Sequence, residues 1–152
     1  MVQKFRERSN GEGGFTLVEL LVVMLILGLL AAIAIPSFFN QRDKAKDADA
    51  KAAVRTAQTA METYATDNGG SYVGATAASL QTIEPSLGNA LLQAPTNLAA
   101  KAYTVKVNSE ITGQSFSISR FANGQLDSDC TVAGTAGCPT GGNWAAEGTA
   151  GP

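Results

Sequence analysis

Between Phe15 and Phe39 the chain carries only three polar side chains, Thr16, Glu19 and Ser37. Wound as a helix at about 1.5 Å per residue, this stretch is roughly 37 Å long, more than a hydrocarbon core of about 30 Å requires. A chain of 152 residues has too little mass to cover such a helix on every side. The span is therefore expected to lie in lipid or against copies of itself. Lys4, Arg6 and Arg8 precede it, which predicts an N-terminus in the cytoplasm and the rest of the chain outside. A cleavable secretory signal is the competing reading, with Ala32-Ile33-Ala34 as its small-x-small site. Against it, the apolar stretch continues through Phe38 and Phe39, and the acidic Glu19 sits near its start.

The charges divide the chain into four environments. Only 16% of residues are charged, against about 25% in an ordinary globular protein. Residues 1–14 hold five charges, 15–41 only Glu19, 42–67 ten, and 72–152 eight. A polar basic start, an apolar span, a charged helix and a sparsely charged polar head together predict a membrane-anchored protein displayed outside the cell. Histidine is absent, which excludes histidine-based triads, histidine metal ligands and a histidine proton shuttle. No phosphate loop, nucleophile elbow or paired-carboxylate site stands out, so neither an enzyme nor a cofactor is expected.

Residues 13–21 read GGFTLVELL, followed by VVMLILGLLAAIAIPSFFNQ to Gln41. This segment resembles the prepilin signature of the type IV pilin and type II secretion pseudopilin superfamily, with close similarity over residues 13–67. The resemblance implies that a membrane aspartyl peptidase, the prepilin peptidase, cuts after Gly14 and methylates the new amino terminus at Phe15. Residues 1–14 are then a removable leader, 15–40 a transmembrane and assembly helix, and 41–152 an extracytoplasmic head. It also implies a structural subunit of a type IV pilus serving adhesion, motility or DNA uptake, or alternatively a pseudopilin of a secretion or competence machine. Its partners would be copies of itself, the peptidase, an inner-membrane assembly platform and, before assembly, lipid. A membrane-tethered binding domain is the remaining reading.

Glu19 can be weighed on physical grounds alone. A carboxylate at the centre of a bilayer costs about 2.5–3.5 kcal/mol on insertion scales, so it marks a functional position. Glu19 is expected one helical turn from Phe15, where cleavage after Gly14 would free a cationic amine. The pair can form within one chain or between chains; the resemblance favours Glu19 of an incoming subunit drawn to Phe15 of one already assembled. A glutamate snorkelling to the head groups is the plainer alternative. Gly13-Gly14 resists joining the helix and so offers a protease an open backbone. Gly28 and Pro36 weaken the helix, and a kink is expected near Pro36, where the ring removes one backbone donor.

From Asn40 to Asp67 there is neither proline nor glycine and much alanine, which predicts helix, ended by Asn68-Gly69-Gly70. Val54, Ala57, Met61, Tyr64 and Ala65 form one buried stripe by spacing. The run Arg42, Asp43, Lys44, Lys46, Asp47 and Asp49 reads as a solvated collar, with Asp47 and Lys51 an i,i+4 pair. Residues 68–101 read as an irregular connection with a short helix near Leu80, Ile83 and Leu87, interrupted at Pro85, with Leu91, Leu92 and Leu98 capping the core. Tyr103, Val105 and Val107 alternate with polar residues, as do Phe116 and Ile118, and Asn123-Gly124 is a hairpin signal leading to a strand towards Val132. The fold expected is α+β: a long N-terminal helix packed on a three- or four-stranded antiparallel sheet over 102–132.

Cys130 and Cys138 are the only cysteines and lie in a glycine-rich region that continues over 133–152. Outside the membrane a disulfide is their expected state, and two cysteines without histidine fall short of a metal site. The family often has a disulfide-bounded C-terminal loop, which this pair resembles in small form. Asp127 and Asp129 are too few for calcium unless other groups contribute, and are better read as solvated. Lys101, Lys106 and Arg120 are the only bases over residues 72–152, too few to predict nucleic-acid binding. The spacing leaves open whether Trp144 packs on the sheet or faces solvent.

Overall fold

The computed structural model describes residues 14–145. Two compact units divide the chain, Met1–Phe38 and Phe39–Pro152. Helix α1, Leu17–Asp67, is 51 residues long, about 76 Å at the standard rise, and continues through Pro36 without interruption. In the first unit every described residue is exposed, including Phe15, Leu25 and Ile33 at more than 70%. Nothing lies within 4 Å of a Cβ built on Gly28, so the chain's own packing does not require glycine there.

In the second unit the elements follow as α2 (Ala77–Ile83), a 3-10 turn (Pro85–Asn89), β1 (Leu91–Leu92), β2 (Tyr103–Asn108), β3 (Ser115–Arg120) and β4 (Leu126–Cys130). The four strands form an antiparallel meander in chain order. Alternation fixes which face is buried: Tyr103, Val105 and Val107 on β2 lie inward beside Phe116 and Ile118 on β3. Against them packs the helical stripe of Ala50, Val54, Ala57, Ala60, Met61 and Ala65, joined by Leu80, Leu87 and Tyr72. Four of those six helical residues are alanines, which lets the helix approach the sheet closely. Tyr64, expected in the stripe, is only partly buried, because its hydroxyl reaches out to the carbonyl of Val73.

Two local readings need correction. Leu91 and Leu92, expected as core caps in an irregular connection, form strand β1, with Leu91 half exposed. The strand after the hairpin begins at Leu126 and ends at Cys130 rather than reaching Val132, because the chain turns there into the disulfide loop. The short helix stops at Ile83, before Pro85, as expected, and the proline then starts a separate 3-10 turn. The hairpin itself is built as its residues require: Gly124 has φ +88°, and the Asn123 side chain accepts a hydrogen bond from the amide of Gln125.

Glu62 organises the end of the sheet opposite the disulfide loop. Its carboxylate accepts hydrogen bonds from Tyr72 (2.7 Å) and Tyr103 (2.9 Å) and lies 3.5 Å from the Arg120 guanidinium. Burial, reinforced by the adjacent Glu62 carboxylate, pushes Tyr72 up to about 12 and raises Tyr103 as well.

Candidate functional site

The candidate site is the start of α1. Phe15 and Thr16 precede the first helical residue, Leu17, so Phe15 is not a turn of helix below Glu19 as expected. The reason is a cap: the Thr16 hydroxyl accepts the Glu19 backbone N–H at 3.2 Å, and the Thr16 carbonyl accepts that of Leu20. Thr16-Leu17-Val18-Glu19 is a T-x-x-E pattern that the sequence reading passed over and that would have placed this boundary. Glu19 thus occupies the first turn, where the helix dipole favours a negative charge. Gly14 lies outside the helix, exposed, with no atom within 4 Å of a built Cβ. Phe15, which follows it, is exposed as well. Residues 1–13 of the expected leader lie outside the described residues.

Beyond this start, exposure is unbroken from Gly14 to Arg42, and α1 contains an apolar window with mean hydropathy 2.9, long enough to cross a bilayer. Among the described residues it is the one helix of that kind. An apolar helix left wholly uncovered by its own chain needs lipid or other copies around it.

The head carries a second arrangement that charge spacing concealed. Asp47, expected in a solvated collar, is fully buried. Its carboxylate accepts hydrogen bonds from the Thr112 hydroxyl (2.5 Å) and the Gly137 amide (2.7 Å). Lys51 does not turn to Asp47; its ammonium donates to the Gly137 carbonyl at 2.6 Å and lies 5.2 Å from the centre of the Phe116 ring. One turn of α1 therefore grips both sides of residue 137. Cys130 and Cys138 are disulfide-bonded, with 5.9 Å between their Cα atoms, and the bridge anchors the gripped loop to β4.

Trp144 is buried on the inner side of this region. Its ring meets Phe116 edge-on at 6.1 Å, lies under the Arg55 guanidinium, and donates its N–H to the carbonyls of Ser117 and Asp129. Asp127 accepts from the Ser128 amide and the Asn143 side chain, while Asp129 is exposed. Among the described residues no three potential ligands cluster as a metal site. Opening the bridge with Cys138→Ser should lower unfolding stability by about 2–3 kcal/mol, since the closed loop is short. Denaturant titration followed by Trp144 fluorescence measures the change, and an unshifted midpoint would contradict it.

An exposed glycine before a capped, uncovered apolar helix with an acidic first turn is the arrangement of a prepilin-type protein. The family described as the prokaryotic N-terminal methylation motif matches residues 9–35. The type IV major pilin protein PilA of Myxococcus xanthus is 40% identical over 63 residues, 41% of this chain and 27% of that protein. The type II secretion system core protein G of Pseudomonas aeruginosa is 40% identical over 57 residues, 38% of this chain and 40% of that protein. The competence protein ComGC of Halalkalibacterium halodurans is 35% identical over 57 residues, 38% of this chain and 56% of that protein. The chain thus spans between about a quarter and somewhat over half the length of these relatives. No solved structure matches. The motif and these likenesses support a place for the N-terminal segment of this chain among the type IV pilins and pseudopilins.

Proposed function

We propose that this chain is a structural subunit of a type IV pilus-like filament, made as an inner-membrane precursor with its N-terminus in the cytoplasm. The observation that carries the reading is the coincidence of the methylation motif, residues 9–35, with a helix start uncovered from Gly14 to Arg42. Prepilin peptidase cuts between Gly14 and Phe15 and methylates Phe15. The mature helix then leaves lipid for the core of a filament, where copies of itself cover its apolar surface. Glu19 supplies the charge that draws the Phe15 amine of a neighbour. Gly28 and Pro36 loosen the helix for that transfer, and an inner-membrane assembly platform drives it. The filament serves adhesion, motility or DNA uptake, and the subunit acts without enzymatic chemistry or cofactor.

A second reading, a pseudopilin of a secretion or competence machine, is favoured by the likeness to core protein G and to ComGC. Deleting the gene separates the two: loss of surface filaments and motility supports the pilus, and loss of protein secretion alone supports the pseudopilin.

Processing has its own test. Mass spectrometry of sheared surface filaments should find a chain that begins at methylated Phe15. Gly14→Asp should leave an uncut precursor about 14 residues longer, because a side chain at the scissile position closes an open backbone. Normal trimming of that variant would overturn the assigned cleavage site.

A further inference from the structure

Within the second unit, two surfaces at opposite ends of the helix–sheet layer complement one another. The first is a trough of about 320 Å³ between α1, the 3-10 turn and the β1–β2 edge. Its floor includes Ala50, Ala53 and Ala90, and its rim carries Lys46, Asp49 and Glu110. Lys46 pairs with Glu110 at 2.8 Å and reaches Asp49 at 3.8 Å, so two acids share one base and the rim keeps a net negative charge. The pairing raises Lys46 above the usual lysine range and holds Glu110 below the usual carboxylate range. Asp49 remains 75% exposed.

The second surface is the β3–β4 hairpin, where Phe121 and Leu126 are each 46% exposed. Lys101 and Arg120 line the hollow beside this hairpin together with Asn123 and Gly124. Arg120 is engaged by Glu62, whereas no ion pair involves Lys101 among the described residues. The hollow beside the apolar hairpin tip thus offers Lys101 as a cation outside any ion pair among the described residues, and the shallow trough with a small-residue floor carries a net negative rim.

A single copy cannot join them. Ala50 beneath the trough and Glu62 beneath Arg120 lie 12 residues apart on α1, about 18 Å along its axis. Two copies can, and because the surfaces differ the contact is head-to-tail, the kind that propagates instead of closing on itself. Building on the filament reading above, we propose that the Phe121–Gly124 hairpin of one copy seats in the Ala50–Ala53–Ala90 trough of the next. Phe121 covers the alanine floor, and Lys101 pairs with Asp49 across the rim. The trough's small residues leave room for the aromatic ring, and the charges set which end of one head meets which end of another.

Cysteine cross-linking of the full-length chain tests the contact. Asn123→Cys marks the hairpin and Asn89→Cys the trough, where Asn89 lies on the lining. Oxidised cell envelopes and shed material from the double variant should give a ladder of covalent multimers, while each single variant stays monomeric. Lys101→Glu should lower the cross-linked fraction by roughly twofold to fivefold, the range an exposed ion pair supplies, and Asp49→Lys added to it should restore the yield. Filaments that show only monomer bands overturn the contact and leave the filament reading standing. A ladder without filaments overturns the filament reading and leaves the contact. Dimers from Asn89→Cys alone overturn the head-to-tail arrangement in favour of trough facing trough.

Discussion

Glu19→Ala should enter the membrane and lose its leader normally, yet yield roughly tenfold fewer sheared filaments, or fewer still. A tenfold loss corresponds to about 1.4 kcal/mol in each assembly contact. The cap explains why folding should not be at fault. Thr16 accepts the backbone N–H of residue 19, which alanine retains, so the first turn of α1 keeps its bond. Insertion should become easier, since removing a carboxylate from an apolar span relieves the cost of placing it there. What disappears is the attraction to a cationic amine on a neighbour. Glu19→Gln keeps the shape and removes the charge, and it should assemble as poorly as the alanine variant. Filament counts by electron microscopy, set beside immunoblots of the processed chain, give the answer. Wild-type filament yield from either variant would sink the role assigned to Glu19.

The second large effect is expected at Gly137. A Cβ there would lie 2.7 Å from the Asp47 Cβ and 2.9 Å from Oδ2, closer than real contacts allow. The helix cannot give way in mid-span, and the disulfide at the next residue keeps the loop close. Gly137→Ala must therefore lift the loop, breaking the 2.7 Å bond from its amide to Asp47 and the 2.6 Å bond from Lys51 to its carbonyl. That would leave a buried carboxylate with Thr112 as its remaining hydrogen-bond donor. Losing a hydrogen-bond donor to a buried charge costs about 1.5–3 kcal/mol, so stability should fall by at least an amount of that order. Asp47→Ala should cost about 1–3 kcal/mol, because it strands the Gly137 amide and the Thr112 hydroxyl but removes the charge. The double variant should lose less than the sum of the two, since both changes break the same contact. Denaturation of the detergent-solubilised chain, followed by Trp144 fluorescence, measures all three. A Gly137→Ala midpoint indistinguishable from wild type would show that the loop does not depend on Asp47.

Much of this was legible in advance, and the physical reasons are specific. The buried stripe of α1 follows from spacing because a helix repeats every 3.6 residues whatever it packs against. Strands β2 and β3 follow from alternation because one face of the sheet meets alanines and valine on the helix and the other meets water. The GGFTLVELL segment identifies its superfamily because an isolated carboxylate after a glycine and an aromatic is rare in so apolar a stretch. Asp47 escaped notice because its partner, Gly137, is 90 residues away, and a lone aspartate among charged neighbours looks solvated. Strand β1 is two leucines long, too short for alternation to register. Trp144 is fixed by carbonyls on two strands, a dependence no local pattern carries.

The sheet's two borders bear on how such a protein survives its own crowding. Beyond β1, the amides of Gln93 and Thr96 continue the pairing to β2, and the regular strand at that border is only two residues long. Beyond β4, residues 142–144 lay a short extra rung through Gly142, Asn143 and Trp144. Long, bare strand borders invite neighbouring chains to add themselves as further strands, the route to amyloid-like aggregation. Heads held side by side in a filament would be at concentrations where that hazard is greatest. Ending both borders in short segments leaves side chains as the main means by which heads meet, so their association can be specific and reversible.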